Sequence, residues 1–382
     1  MMHSTTAPRV FIAMATGILG GPGKGLAQFL RSGGRDGCYP LAIDYQIPNT
    51  PCETEYTRAM TAAGAHLAPL HQRRTLDYGL VRQGLELVQK HNINILQSHG
   101  YKSHVLCWFL HKKTGIPWVA FVHGWTRENL KVRVYHGIEQ AMLLFPDVVI
   151  SVAESVRDRL LPPVRKRSLV VPNALAPEEL CDDPVRNVRA ELGIAPEAIV
   201  AGVVGRFSPE KGQLVFIRSL ARARQQEPRL HGLLVGDGQD RLVLEAEIAA
   251  LNLQNAVSLT GHVQGLAPYY RAMNMLVLPS FSEGMPNVAL EGMYMGLPVI
   301  ASRVGGVPEV VLHEKTGLLL PAGDHNQLAE AIVSLAHNQS KRCSLGENGK
   351  ARIDTEFNPH IRAKKILDIY ANLLLKNKPT PK

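Results

Sequence analysis

The chain has 382 residues, 45% hydrophobic and 20% charged, which is the composition of a globular protein long enough for two domains. Its formal net charge is +9, and most of the excess lies in residues 1–181, but no basic run is long enough for a nucleic-acid-binding arm. Five widely spaced cysteines without a Cys-x-x-Cys pair argue against a disulfide framework or zinc site and favour reduced thiols in the cytoplasm.

The first half of the chain predicts strands that alternate with helices. The apolar run 10–19 predicts a buried strand rather than a signal peptide, because a Gly/Lys loop stands where a cleavage site would be. No run approaches the ~18 apolar residues that a membrane-spanning helix needs. A helix is predicted at 79–91. Strands are predicted at 10–15, 41–44, 93–97, 118–122 and 148–152.

A polar, proline-containing stretch at 176–197 separates this series from a second one. The second series predicts helices at 214–226 and 241–251. Its strands are predicted at 199–204, 230–235, 257–259, 275–278 and 299–301. Many of these runs are apolar throughout rather than alternating, which is typical of parallel strands covered on both faces. The pattern therefore predicts two doubly wound α/β domains.

The predicted domain boundaries follow from this linker and from the end of the chain. A first Rossmann-like domain is predicted at 1–177 and a second at 178–358. The remaining segment, 359–382, is predicted to be an amphipathic helix and a polar tail, with the helix packing back on the N-terminal domain.

The most informative motif is the string Ser-Phe-Ser-Glu-Gly-Met-Pro-Asn-Val-Ala-Leu-Glu-Gly at 280–292, directly after a predicted strand. Gly284 permits a tight turn, and Pro286 suits the first turn of a helix that Gly296 ends. The beginning of such a helix offers backbone N–H groups and the positive end of the dipole. The string therefore predicts a site for a diphosphate.

Two carboxylates flank this predicted anion site. Glu283 precedes the helix and Glu291 lies within it. One can accept hydrogen bonds from sugar hydroxyls and the other from a ribose. The alternative is that Glu283 is an ordinary charge at a helix end and Glu291 a solvated surface residue.

The second motif is Gly-Arg-Phe-Ser-Pro-Glu-Lys-Gly at 205–212, after the strand 199–204. Gly205 allows a close approach of the backbone, while Arg206 and Lys211 can neutralise a departing pyrophosphate. The alternative is ordinary surface charge in a common Lys-Gly turn.

Taken in this order, the two motifs resemble those of glycosyltransferase family 4, the retaining enzymes of GT-B fold. The resemblance covers nearly the whole C-terminal half and includes the strings at 235–238, 260–263 and 296–309. It implies an α/β GT-B fold in which two Rossmann-like, doubly wound domains face a central cleft. In this fold the domain 1–177 would bind the acceptor and the domain 178–358 the nucleotide sugar.

The resemblance also implies roles for individual residues. Glu283 is expected to contact the donor sugar and Glu291 the nucleotide ribose. Arg206 and Lys211 are expected to bind the diphosphate in place of a divalent cation, so no cofactor and no metal are expected. Backbone amides that would face the phosphates belong to Met285, Asn287 and Val288.

The resemblance is weaker in the N-terminal half. The glycine-rich string at 17–25 does not match a Walker A loop, because Ile18 and Gly25 stand where Gly and Ser/Thr are needed. It resembles the family's glycine loop, in which Gly20 and Gly21 would meet the donor phosphates. A simple tight turn is the alternative.

Two His-Gly pairs follow predicted strands, at His99 and His123. By resemblance His123 contacts the donor sugar near the reacting carbon. A lone histidine is more often structural, which is the alternative for both. His99, Lys102, Trp125 and Arg127 are candidates for an acceptor site.

The predicted function is retaining transfer of a sugar from a nucleoside-diphosphate sugar to a saccharide or lipid-linked saccharide, in bacterial surface-polysaccharide synthesis. The expected location is cytoplasmic, with peripheral contact to an anionic membrane and no nucleic-acid partner. The alternatives are a nucleotide-sugar epimerase or phosphorylase of the same architecture, and a catalytically silent scaffold that binds sugar nucleotides.

Overall fold

The computed structural model describes residues 7–48, 51, 53–73, 77–125, 130–181 and 186–377. The chain divides into two compact units. The first comprises 1–124, 129–174 and 359–382, and the second comprises 125–128 and 175–358. The helix at the end of the chain, Pro359–Lys376, thus belongs to the first unit. Within the described residues, no helix combines the length and apolar character needed to cross a membrane.

The first unit is built on a parallel seven-stranded sheet of order β3-β2-β1-β4-β5-β6-β7. Its strands are β1 (Arg9–Met14), β2 (Tyr39–Gln46), β3 (His66–His71), β4 (Ile95–His99), β5 (Trp118–Val122), β6 (Val148–Ser151) and β7 (Ser168–Val170). Besides Pro359–Lys376, its helices are Gly21–Phe29, Arg35–Gly37, Glu55–Ala62, Gly79–Lys90, Tyr101–Thr114, Leu130–Met142, Glu154–Arg157 and Pro162–Arg165. The segment Leu30–Gly34 between the first two is kinked, because Ser32 and Gly33 have non-helical backbone angles.

The second unit is built on a parallel six-stranded sheet of order β10-β9-β8-β11-β12-β13. Its strands are β8 (Ile199–Val204), β9 (Leu230–Val235), β10 (Val257–Leu259), β11 (Met275–Leu278), β12 (Val299–Ser302) and β13 (Gly317–Leu320). Its helices are Glu178–Cys181, Val188–Glu191, the 3-10 turn Pro209–Lys211, Gln213–Arg224, Arg241–Ala250, Ala267–Ala272, Asn287–Tyr294, Val307–Val310, His325–His337 and Gln339–Glu356.

The prediction of doubly wound parallel sheets is confirmed in both units. Every residue of β5 and of β8 is buried, as the unbroken apolar runs predict. Three strands, β3, β7 and β13, are absent from the predicted set. β3 carries His66, Pro69 and His71 at the sheet edge, which interrupts its apolar pattern. β7 and β13 are as short as the predicted β10 and β11, and β13 is an apolar run that the same criterion could have marked.

The C-terminal helix contributes to the core of the first unit rather than the second. Ala363, Ile366, Tyr370 and Leu373 are buried against residues of β1, β4, β5 and β6. Burial of one such side chain contributes about 1.5–3 kcal/mol, so this helix is an integral part of the first unit.

Candidate functional site

The two motifs of the second unit follow β8 and β11, which are neighbouring strands of its sheet. Parallel strands end at the same edge, so the loops that leave them meet. The Phe281 N–H donates to the Glu210 carbonyl at 2.8 Å. Gly212 has φ +69°, and a Cβ there would lie 2.1 Å from the Pro279 carbonyl oxygen. Only glycine therefore allows these two loops to pack this closely.

Lys211 and Glu283 form an ion pair between the two loops. The lysine Nζ donates to both carboxylate oxygens of Glu283, at 2.8 and 3.0 Å. Ser280 Oγ donates to one of the same oxygens at 2.7 Å, and the Glu283 side chain is only 7% exposed. Glu283 is thus a buried, oriented carboxylate rather than a solvated charge.

Arg206 lies in the same loop as Lys211 but extends into solvent, with its side chain 60% exposed. Its Nη2 donates to Glu210 at 2.6 Å, and Ser208 Oγ donates to the same oxygen at 2.7 Å. Burial opposes ionisation of Glu210, but the hydrogen bond from Ser208, a backbone N–H and the Arg206 guanidinium together lower its pKa. The loop therefore presents two cations, Lys211 and Arg206, each oriented by a carboxylate.

A third loop, which follows β12, packs against the backbone of Glu283 and Gly284. The Gly306 N–H donates to the Gly284 carbonyl at 2.7 Å. Gly305 has φ +51°, and a Cβ there would lie 1.8 Å from the Glu283 carbonyl oxygen. The position of Glu283 thus depends on a glycine in a neighbouring loop.

Gly305→Ala is expected to displace Glu283 and destabilise the second unit by about 2 kcal/mol or more, because both the backbone conformation and the contact forbid a Cβ. Gly296→Ala is the matched control: Gly296 has φ +75° but nothing within 4 Å of the new Cβ, so it should cost about 1 kcal/mol. Urea unfolding of both variants measures the difference, and equal losses would contradict the role of the Gly305 contact.

The helix Asn287–Tyr294 begins where the sequence predicts the anion site. Pro286 stands at its N-cap, one position before the predicted first turn. Met285 precedes the cap, and Asn287 and Val288 form the start of the helix, so these residues lie at the positive end of its dipole. The amides proposed for a diphosphate thus adjoin Glu283 along the chain.

Glu291 lies in the second turn of this helix and is buried. Tyr270 Oη donates to Glu291 Oε2 at 2.7 Å. Burial, and next the charge of Glu291, raise the pKa of Tyr270 well above its usual value, so the phenol remains a donor. Glu291 is therefore a fixed carboxylate and not the solvated surface residue of the alternative interpretation.

In the first unit the structure brings His99 and His123 together. His99 is the last residue of β4 and His123 follows β5, and His99 Nδ1 lies 2.9 Å from His123 Nε2. The two ring planes are 16° apart and the ring centroids 5.2 Å apart, so the rings meet edge to edge through this hydrogen bond. Burial, followed by the positive charge of Arg362, lowers the pKa of His123 to about 4, and burial lowers that of His99 well below its usual value.

The glycine-rich string at 17–25 contains the start of a helix. Gly20 is the extended N-cap and Gly21 the first residue of the helix Gly21–Phe29, with Pro22 in its first turn. Further along, Arg362 Nη1 of the C-terminal helix donates to the Gly25 carbonyl at 2.9 Å. The C-terminal helix thus buttresses the helix that follows this loop.

The candidate acceptor residues other than His99 fall in three different settings. Lys102 is the second residue of the helix Tyr101–Thr114 and is partly exposed. Trp125 is buried and groups with the second unit, where its carbonyl accepts from Ser282 Oγ at 3.2 Å. Arg127 lies outside the described residues.

Sequence reasoning missed the residues that orient the candidate site. Ser280 stood within the quoted motif, next to a carboxylate, and could have been inferred. Tyr270 in the second unit and Arg362 in the first carry no local signal, because each contacts its site residue from a separate element. Gln97 lies on β4, two residues before His99, so strand periodicity could have placed it beside that histidine. In the part of the chain that the structure describes, no group of three or more His, Cys, Asp and Glu side chains is arranged to hold a metal ion.

The lowered pKa of His123 predicts a pH dependence of stability. The ordinary pKa is 6.5 and the folded one about 4, so between these values the unfolded chain binds more protons. The free energy of unfolding should therefore fall as the pH drops from about 6.5 towards 4. We expect His123→Asn to flatten this fall by about 2 kcal/mol. Urea titrations at pH 7, 5.5 and 4.5 measure it, and an undiminished slope would count against a neutral, part-buried His123.

Comparison with known proteins agrees with this fold and these motifs. The family model described as "Glycosyltransferase Family 4" matches residues 19–179, and the one described as "Glycosyl transferases group 1" matches residues 198–338. The chain is 26% identical to N-acetyl-alpha-D-glucosaminyl L-malate synthase of Bacillus anthracis over 78% of each chain. It is also 29% identical to the capsular polysaccharide biosynthesis glycosyltransferase CapM of Staphylococcus aureus over 46% of each chain.

Among solved structures, Anabaena Alr3699/HepE in complex with UDP superposes with a TM-score of 0.82 at 20% identity, covering 96% of this chain and 100% of that one. Two parallel Rossmann-like units with these motifs define a glycosyltransferase of GT-B fold. The chain belongs to the family 4 type of these enzymes, whose relatives include enzymes of bacterial polysaccharide and capsule synthesis.

Proposed function

We propose that the protein is a retaining, metal-independent glycosyltransferase that moves a sugar from a nucleoside-diphosphate sugar to a saccharide or lipid-linked saccharide. The observation that carries the proposal is the Lys211–Glu283 pair. It places a cation and a buried carboxylate side by side, next to the start of the helix Asn287–Tyr294. A sugar diphosphate needs these two kinds of contact at once: positive charge for the phosphates and an acceptor for the sugar hydroxyls.

Each residue then has a chemical task. Lys211, Arg206 and the amides of Met285, Asn287 and Val288 stabilise the charge that develops on the departing diphosphate. Glu283 accepts hydrogen bonds from the sugar, and Glu291 from the ribose. No protein nucleophile is assigned: the leaving phosphate takes the acceptor proton, so that the sugar is transferred on the face that the diphosphate leaves. Catalysis is then a matter of positioning and electrostatic stabilisation.

His123 and the glycine loop extend the same proposal to the first unit. His123 contacts the donor sugar, and Gly20 and Gly21 contact the phosphates at the start of their helix. His99, Lys102, Trp125 and Arg127 are assigned to the acceptor.

The decisive experiment is a thermal-shift screen of the purified protein against UDP, GDP, ADP and their common sugars, with and without EDTA. A nucleotide that binds the folded state raises the melting temperature as its concentration exceeds its dissociation constant. We expect one base to give a shift that EDTA does not change. A shift abolished by EDTA would overturn metal independence, and no shift with any nucleotide would overturn the donor assignment. Binding without transfer or hydrolysis would favour the silent scaffold.

We further propose that the acceptor is presented at an anionic membrane surface. Support comes from an aromatic surface of the first unit, where neighbouring ring centroids lie 6.3, 4.7 and 5.6 Å apart along the series Tyr78, Phe109, Trp108 and Phe145. Tyr78 is 80% exposed, and the exposed Lys112 and Lys113 lie one turn from the aromatic residues of their helix. Aromatic and basic side chains together suit a membrane interface.

Flotation with liposomes tests this part of the proposal. Salt-sensitive binding to vesicles that contain phosphatidylglycerol, weakened in Tyr78→Ser, is expected. Equal recovery with neutral vesicles would count against it.

A further inference from the structure

A chain of polar side chains runs through the core of the first unit and ends at His123. Gln97 and His99 are two residues apart on β4, so their side chains share one face of the sheet. On the neighbouring β5, Phe121 pairs with His99 in register, and His123 lies two residues further on the same face. The His99 ring stacks on Phe121, with centroids 4.7 Å apart, and lies edge to edge with His123, with centroids 5.2 Å apart. Strand periodicity alone thus aligns these groups.

The other end of this chain comes from the C-terminal helix Pro359–Lys376, which covers the same face of the sheet. Tyr370 is fully buried, and its Oη donates to Gln97 Oε1. Burial raises the pKa of Tyr370 well above its usual value, so the phenol keeps the proton that it donates to Gln97. Because the amide oxygen is engaged by Tyr370, the amide nitrogen of Gln97 faces the other way, 2.7 Å from His99 Nε2.

The direction of each following hydrogen bond is then determined. An amide nitrogen can only donate, so His99 Nε2 accepts, and a neutral His99 carries its proton on Nδ1. That Nδ1–H donates to His123 Nε2 at 2.9 Å. A neutral His123 that accepts at Nε2 must carry its own proton on Nδ1. The groups that act on this pair electrostatically include the Arg362 cation, which favours neutral rings, and Glu139 and His104.

We propose that Gln97 and Tyr370 are positioning residues that hold His123 as its Nδ1–H tautomer, so that His123 offers a hydrogen-bond donor, not an acceptor, to the substrate. A donor at this position suits a sugar hydroxyl oxygen or a phosphate oxygen, both of which accept. Only this last step, the contact with substrate, depends on the proposed function. The tautomer itself is a property of the free protein.

The test is nitrogen NMR of protein labelled with ¹⁵N-histidine, which separates protonated from unprotonated ring nitrogens. In the wild type at pH 7.5 we expect His123 to be protonated at Nδ1 and unprotonated at Nε2. The His123 signals are assigned by their loss in His123→Asn. Finding the Nε2–H tautomer, or a charged ring, in the wild-type protein would overturn the proposal without any activity measurement.

Gln97→Glu should reverse the direction of the hydrogen bonds that follow position 97, while the volume of the side chain there hardly changes. An ionised carboxylate at this position accepts from both neighbours, so a neutral His99 must donate from Nε2 and accept at Nδ1, and His123 must shift its proton to Nε2. If the new carboxyl is protonated or His99 is charged, His99 keeps a proton on Nδ1 and His123 keeps its wild-type tautomer, and the ¹⁵N signals of His99, assigned by their loss in His99→Asn, distinguish these cases. His231, which is bonded to Ser258 at 2.9 Å in the second unit, should keep its wild-type spectrum and serves as the internal control. An unchanged His123 tautomer beside a His99 that has no proton on Nδ1, in a folded Gln97→Glu protein, would contradict the hydrogen-bond chain.

Tyr370→Phe is the second variant, used in case a carboxylate at position 97 prevents folding. It removes the fixed donor and frees the amide of Gln97 to rotate, so both tautomers of His123 should appear. If the proposed transfer also holds, both variants should lower kcat/KM about 10- to 100-fold, as loss of an orienting partner does in other sites. A purely structural role would leave the tautomer of His123 as it is in the wild type. If the variants change the tautomer of His123 but the wild-type protein has no transferase activity, the hydrogen-bond chain is supported and only the proposed function is contradicted.

Discussion

Lys211→Met is expected to lower kcat about 100- to 1,000-fold, with a smaller change in KM for the donor. The ammonium group lies between two loops, 2.8 Å from the buried carboxylate of Glu283, and the lysine side chain is 28% exposed. Removal of one preorganised group that stabilises transition-state charge typically has an effect of this size. Steady-state transfer, or slow donor hydrolysis if the acceptor is unknown, measures the loss.

Two comparisons make this result specific. Lys341→Met removes a lysine from a weak surface pair with Glu314, at 4.0 Å, and should leave kcat unchanged. Lys211→Arg keeps the charge but not the compact ammonium, so partial activity is expected. Because Lys211→Met also leaves the buried Glu283 without its cation, melting temperatures must be recorded. A folded Lys211→Met protein with near-wild-type kcat would remove Lys211 from the leaving-group site.

Glu291→Gln is expected to weaken nucleotide binding about 10- to 100-fold and to change kcat much less. Glu291 is buried and held by Tyr270, so its carboxylate is fixed before any ligand arrives. Hydrogen bonds from ribose hydroxyls to a charged acceptor contribute about 1.5–3 kcal/mol, and the neutral amide loses most of this. Isothermal titration with the nucleotide identified by thermal shift measures the effect without an acceptor.

The matched control is Glu356→Gln, which changes an exposed glutamate that pairs with Arg352 on the surface of the second unit. It should bind nucleotide like the wild type. Tyr270→Phe keeps the carboxylate but loses its orienting hydroxyl, so its effect should be intermediate. Equal affinities for wild type and Glu291→Gln would remove the ribose contact from the proposal.

The sequence by itself determined the two parallel sheets and the place of the donor motifs. Unbroken apolar runs such as those of β5 and β8 predict strands that are covered on both faces, and the predicted and observed bounds of these two coincide. The glycine and proline signals around 280–296 likewise locate the turn and the helix that follow β11, because these residues restrict the backbone locally. Both features can be read from residues that are adjacent in the sequence, because glycine and proline restrict the backbone locally and an unbroken apolar run marks a strand that is buried on both faces.

Only the tertiary structure decided which groups orient one another. That Lys211 bonds Glu283, 72 positions away, follows from the pairing of β8 with β11 and not from either motif alone. The Tyr370–Gln97–His99 chain joins residues up to 273 positions apart through a helix that returns to the first unit. Hydrogen-bond direction and desolvation depend on what packs around a group in three dimensions, so they follow from the folded arrangement of distant segments and not from local sequence.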